Sequence, residues 1–209
     1  MFTLEDHVTA KNEEPALLPR MTAGELDCFR RYLGKASHFL EFGCGGSTLL
    51  AAGAGLSKIW SVESDAAWIR KLKERKPISD AVKNGRLKFF CPKIGGIGAW
   101  GRPQDPNSRH LWPRYHSEVW AELDPKTVDL VLIDGRFRVA CALQAALRVS
   151  AKCPILIHDF WIRPKYHVAT EFLTEVERVD TLGVFHPKEP RDVSGMIDRL
   201  FATMSRYDL

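Results

Sequence analysis

The stretch Glu41-Phe42-Gly43-Cys44-Gly45-Gly46-Ser47 decides how this chain is read. It completes the apolar run His38-Phe39-Leu40-Glu41-Phe42 and leads into a helical segment over 48–54 that closes at Gly53 and Gly55. Ser47 or Thr48 can cap that segment. A buried strand that stops at a glycine cluster and passes into a helix opens a βαβ unit. Glycine is needed where the backbone turns sharply and where a ligand approaches without a Cβ in the way. The helix that follows offers free N–H groups and the positive end of its dipole. Taken alone, a G-x-G at a strand end serves a plain structural turn nearly as well.

Working outward, the alternation of strand and helix repeats. Upstream, Thr22-Ala-Gly-Glu25 has the form of a capping box, followed by Leu26, Phe29 and Leu33 at helical spacing and a stop at Gly34. Downstream, Lys58 to Glu63 reads as a strand, and Ser64 caps a helix carrying Trp68, Ile69 and Leu72. Arg86 to Cys91 and Val128 to Asp134 read as strands three and four, the latter nearly all apolar, as in a strand covered on both faces. Phe137 to Ser150 reads as a helix and Pro154 to His158 as strand five. This pattern predicts an α/β, Rossmann-like fold: a mostly parallel twisted sheet with helices on both faces. Beyond residue 160 the spacing predicts a helix over 168–176, one or two strands over 179–186, and a C-terminal helix through Met196, Ile197, Leu200, Phe201 and Met204.

Residues 1–21, polar and bearing Pro15 and Pro19, read as an N-terminal arm, and 22–209 as a single domain. One loop insertion, at about 92–117, breaks the rhythm with four Gly and four Pro. It interleaves Trp100, Trp112 and Tyr115 with Arg102, Arg109, His110, Arg114 and His116, which suits an acceptor-binding loop or a lid. The plainer reading packs the two tryptophans against the domain.

The totals exclude several classes. With 45% apolar and 27% charged residues the 209-residue chain is globular, not disordered. The net charge of +4 is spread among mixed signs, so nucleic acid is not an expected partner. The first residues lack an apolar segment and nothing approaches a membrane span, so a cytoplasmic location is expected. Five cysteines without a C-x-x-C pair fit reduced thiols and no zinc site.

The ligand can be narrowed by charge. Glu63 closes the second strand, where a carboxylate can accept from both hydroxyls of a ribose. A dinucleotide fingerprint would place its third glycine at Thr48, and Glu41 would repel a pyrophosphate. A ligand carrying a sulfonium and an ammonium tolerates that carboxylate, which favours S-adenosylmethionine.

LEFGCGGSTLLAA resembles the first motif of the class I S-adenosylmethionine-dependent methyltransferases. WSVESD, VDLVLIDG and ILIHDF resemble the segments that follow it, over residues 38 to about 160. The resemblance implies S-adenosylmethionine as cofactor, held by Glu41, Gly43, Cys44, Gly45, Gly46, Ser47, Glu63, Ser64 and Asp134. No acceptor comes with the resemblance; the expectation is methyl transfer to a small-molecule acceptor, by O-methylation, with Asp134, His158 and Asp159 as the catalytic candidates. Asp134 and Asp159 would offer two oxygens to a metal, but no third ligand is placed, so no metal is expected. The pattern departs from the family's at Ser47, which replaces a glycine, and at Cys91-Pro92, where an acid usually contacts adenine. Two other readings stand beside this one: an NAD(P)-binding oxidoreductase, and a cofactor-binding relative without catalysis.

Overall fold

Successive side chains of a strand point to opposite faces, and in the inner strands of this chain both sets are apolar. The computed structural model describes residues 17–209. Its elements run α1 (Ala23–Leu33), β1 (His38–Phe42), α2 (Gly46–Gly53), β2 (Lys58–Val62), α3 (Ala66–Lys73), α4 (Lys76–Lys83), β3 (Leu87–Phe90), α5 (Arg114–Ser117), β4 (Leu130–Ile133), α6 (Arg138–Arg148), β5 (Ile155–Ile157), β6 (Leu173–Val179), β7 (Leu182–Pro187) and α7 (Val193–Thr203). The strands form one seven-stranded sheet in the order β3-β2-β1-β4-β5-β7-β6. β1 to β5 are mutually parallel, and β7 runs antiparallel to both neighbours.

The alternation divides the core in two. Leu40, Phe42, Val62, Val131, Ile133 and Ile155 face α6, α7 and the 112–120 segment. Phe39, Ile59, Leu130, Leu132 and Leu156 face α1, α2 and α4. Helices therefore cover both faces, as the sequence predicts. β1 sits between β2 and β4, so the chain reverses its direction of winding there. In open α/β folds ligands bind in the crevice outside the carboxyl edge of the sheet at such a point.

Three local expectations need correcting. The segment 168–176 is not a helix. A 3-10 turn over Pro164–Glu171 gives way to the edge strand β6, whose Thr174, Glu175 and Arg178 are exposed. Charged side chains on such an edge discourage further pairing, and the accidental i, i+4 spacing of Val168, Phe172 and Val176 imitated a helix. Ser64 does not cap α3: Asp65 does, accepting from the N–H groups of Ala67 and Trp68. α2 starts at Gly46 with Gly45 as its cap, and the Thr48 hydroxyl turns back to accept from the Gly45 N–H at 2.9 Å. Of the arm expected over 1–21, residues 1–16 lie outside the described residues. Residues 18–19 lie across the start of α2, so close that a Cβ on Gly46 would come within 2.2 Å of the Leu18 carbonyl carbon and the Pro19 nitrogen.

Candidate functional site

The turn after β1 is fixed by backbone against backbone. Gly43 has φ +92°, and a Cβ there would lie 2.6 Å from the Cα and N of Gly135 in the turn after β4. Gly135 in turn lies beneath the buried Tyr115 hydroxyl, which a Cβ would meet at 2.1 Å. Both turns hang on one carbonyl, since the N–H groups of Asp134 and Gly135 donate to Phe42 O at 2.9 and 2.7 Å. Gly45 differs from its neighbours: a Cβ there meets no atom within 4 Å, so its face opens onto the crevice.

Glu41 lies under this turn with 0% exposure. Three hydroxyls donate to its carboxylate: Ser47 at 2.6 Å, Thr48 at 2.5 Å and Ser61 at 2.7 Å. The structure thus corrects the expectation of direct ligand contact, because every Glu41 oxygen is buried and taken. Glu41 acts on the loop through Ser47 and Thr48. Burial pushes its pKa up to about 7 against the pull of the three hydroxyls. An acid raised in the folded state binds extra protons there, so it costs stability as pH rises from 4.5 through 7. That cost amounts to roughly 3 kcal/mol. Glu41→Gln should remove it, and urea unfolding at pH 5 and pH 8 should show a smaller pH difference than in the wild type.

Glu63 reaches the crevice from the end of β2. Its carboxylate accepts from the Asp65 N–H at 2.9 Å, and the Cys44 thiol lies 3.8 Å away. Burial raises its pKa despite those backbone donors, so further hydroxyl donors would be gained favourably. The Cys44 carbonyl is held by the Trp68 indole N–H at 2.9 Å, which fixes the loop from the other side. Ser64 lies beside Glu63, its hydroxyl 3.4 Å from the carboxylate.

The insertion is in part packed and in part exposed. Trp112 and Tyr115 are buried against Phe137, and Trp112 meets the edge of Tyr207. Trp100 instead is 67% exposed, in the left-handed region at φ +62°. It sits at the tip of a narrow excursion closed by the Ile97–Pro103 bridge. The tip lies over the crevice: a Cβ on Gly101 would be 3.4 Å from the Ser64 hydroxyl and 3.6 Å from Glu63 Oε1. Arg136 donates to the Trp100 carbonyl at 2.7 Å, and the Arg20 guanidinium stacks over the Trp100 ring at 4.3 Å.

At the ends of β4 and β5 the side chains form a charged chain. His158 is 8% exposed, with Nδ1 2.8 Å from Asp134 Oδ1 and Nε2 3.4 Å from Glu25 Oε2. Glu25 is itself buried, accepting from Thr22 N at 2.9 Å and from Thr181 N at 2.8 Å. Arg138 donates to the His158 carbonyl, to Asp134 O at 2.9 Å and to Asp134 Oδ1 at 3.1 Å. Burial disfavours a charged His158, but the hydrogen bond and charge of Asp134 outweigh it and raise its pKa. Burial likewise works against an ionised Asp134, and His158 and Arg138 overcome it, so its pKa falls. Asp159, at φ +57°, is tied to Arg163 at 3.2 Å. Of the three catalytic candidates, Asp134 keeps an exposed share of its carboxylate, while both His158 ring nitrogens face carboxylates. A base that takes an acceptor's proton needs a free nitrogen, so the geometry gives His158 a positioning role. Glu25 and Arg138 were not anticipated as members of this group. Among the described residues, no group of three or more His, Cys, Asp or Glu is placed to hold a metal ion.

This architecture has known counterparts. A methyltransferase-like protein from Silicibacter pomeroyi DSS-3 is 31% identical to the chain, covering 90% of this chain and 97% of its own, with a TM-score of 0.78. The chain belongs to the class I methyltransferase family. Other structures share the methyltransferase fold at lower identity. One is a candidate caffeoyl-CoA O-methyltransferase from Staphylococcus aureus (11% identity, 82% of this chain and 86% of that one, TM-score 0.57). Another is the cofactor-bound Rv0187 from MTB (18% identity, 82% and 84%, TM-score 0.54). No family model and no curated protein matches the chain. For this methyltransferase family member, the carboxyl edge of the sheet at the β1 and β4 turns is the place the fold reserves for a ligand.

Proposed function

We propose that the chain is an S-adenosylmethionine-dependent methyltransferase that methylates an oxygen of a small-molecule acceptor. The observation that carries this reading is the Glu63 carboxylate set against the glycine turn, 3.8 Å from the Cys44 thiol, next to the unobstructed Gly45. The residues fit such a ligand. Glu63 is placed to accept from two ribose hydroxyls, and Gly45 leaves room where a Cβ would intrude. The exposed part of Asp134 offers negative charge toward a cationic donor. When bound, S-adenosylmethionine supplies an electrophilic methyl on a sulfonium. The protein's share is mostly orientation: the turn at Gly43–Gly46 fixes the donor side, and Asp134, held ionised by His158 and Arg138, sits at the acceptor side. The excursion carrying Trp100 roofs the crevice and keeps water from it.

Thr48 argues against a dinucleotide, because its hydroxyl bridges Glu41 and the Gly45 N–H at the position where a third glycine would admit a pyrophosphate. A cytoplasmic setting suits the five free thiols. No helix among the described residues is long and apolar enough to cross a membrane.

Thermal unfolding with S-adenosylmethionine, S-adenosylhomocysteine, NAD and NADP tests the reading. A ligand bound only by the folded state at a hundred times its Kd adds about 2.7 kcal/mol. The two sulfur compounds should raise Tm and the two dinucleotides should not. A rise with NAD alone would replace this reading with the oxidoreductase one.

A further inference from the structure

Three guanidinium groups gather on the Trp100–Arg102 tip at the mouth of the crevice. Arg20 covers the Trp100 ring, Arg136 binds the Trp100 carbonyl through Nε, and Arg102 follows at the tip itself, 6.0 Å from the Tyr207 ring. At the carboxyl ends of β4 and β5 the neighbouring arginines have carboxylates: Arg138 has Asp134 and Asp159, and Arg163 has Asp159. Among the described residues, no carboxylate lies within 4 Å of Arg20, Arg102 or Arg136. An exposed arginine without a partner is ordinary. Arg136 is not in that position, because it is half-buried and follows Gly135 directly after β4. Burial disfavours its charge, and the neighbouring Arg138 and Arg102 disfavour it further. A partly desolvated cation beside two others is costly unless an anion joins it.

We infer that the mouth of the crevice is an oxyanion site, built on Arg136 and supported by Arg102, and that the acceptor is a small molecule bearing a carboxylate or phosphate. Arg136 still has both terminal nitrogens after its Nε is used, and two parallel N–H groups match either oxyanion. The anion would be held beside the Asp134 turn, which leaves the rest of the acceptor directed into the crevice. The word acceptor rests on the transferase reading; the anion site rests on the charges alone.

Isothermal titration with inorganic phosphate and with benzoate, at ionic strength matched with chloride, tests it. The better binder of the two decides between phosphate and carboxylate. The wild type should bind at least one of them. Arg136→Gln should weaken that binding at least tenfold and Arg102→Gln about threefold, while Arg136→Lys should keep part of it. Lys76→Gln, on α4 away from the crevice, should change nothing. Absence of binding of both anions to the wild type, or equal binding by Arg136→Gln, or an equal loss in Lys76→Gln, would overturn the inference. A parallel titration with S-adenosylhomocysteine separates the two claims. Anion binding without it would remove the donor reading and leave the oxyanion site; the reverse would remove the oxyanion site alone.

Discussion

Gly43→Ala should destabilise the protein by about 2–5 kcal/mol, whereas Gly45→Ala, two residues on, should change stability by less than about 1 kcal/mol. At Gly43 two penalties add. A side chain at φ +92° is strained by itself, and its Cβ would lie 2.6 Å from the backbone of Gly135. Backbone cannot swing aside as a flexible side chain would, so the turns after β1 and β4 must separate. Gly45 has φ 170°, which any residue adopts, and open space above it. Its substitution should therefore leave the fold intact and act on the ligand, weakening S-adenosylhomocysteine. Urea unfolding of both variants, followed by titration of Gly45→Ala, separates a glycine needed by the chain from one needed by its ligand. A Gly43→Ala protein as stable as the wild type would show that the two turns are not locked together.

His158→Ala should cost about 1.5–3 kcal/mol, the loss of a charge-assisted hydrogen bond to Asp134, which keeps Arg138, while Glu25 keeps its donors from Thr22 and Thr181. The substitution leaves Asp134 and the buried Glu25 without the ring that joins them, and so loosens α1 from the ends of β4 and β5. The pH dependence has a definite sign. His158 has a folded pKa raised above its ordinary 6.5, so its stabilisation is complete below that value and is lost as pH rises through the folded pKa. Asp134 has a folded pKa lowered below 3.8, so its share is present above that value and is lost as pH falls through the folded pKa. The pair therefore stabilises most in the window between. Denaturant unfolding from pH 4 to 9 should show stability falling on the alkaline side in the wild type, and His158→Ala should lose the part that Glu41 does not supply. In Glu41→Gln the His158 part alone should remain. Equal stability of His158→Ala and the wild type at pH 6 would contradict the charged-chain description.

The periodic parts of the fold were legible because burial writes itself into sequence. β1, β2, β4 and β5 are short apolar runs closed by turn residues, and α1 carries its own capping box and a Gly34 stop. β6 was not legible, since an edge strand exposed along most of its length has no apolar alternation to display. α4 escaped as well: it buries only Ile78 and Ala81 from a polar octet. In the site, Gly43 and Glu63 were readable from their positions at strand ends. Glu25 was visible only as a capping-box member, and nothing local announces that its second oxygen faces His158. Arg138 reads from sequence as an ordinary first-turn residue, yet it ties together the turns after β4 and β5. Such roles are set by residues distant along the chain, so only the fold reveals them.

Glu63→Ala, titrated calorimetrically with S-adenosylhomocysteine beside the wild type, tests the central claim most directly. Glu63 has one short hydrogen bond, from the Asp65 N–H, and no ion pair among the described residues, so the variant should fold, with a Tm close to that of the wild type. Losing a charge-assisted contact to two hydroxyls should weaken binding on the order of 100-fold, or about 2.7 kcal/mol. That result, with no heat from NAD in either protein, is what a ribose held at the end of β2 requires. Equal affinity in both proteins would place the ligand elsewhere and contradict the account.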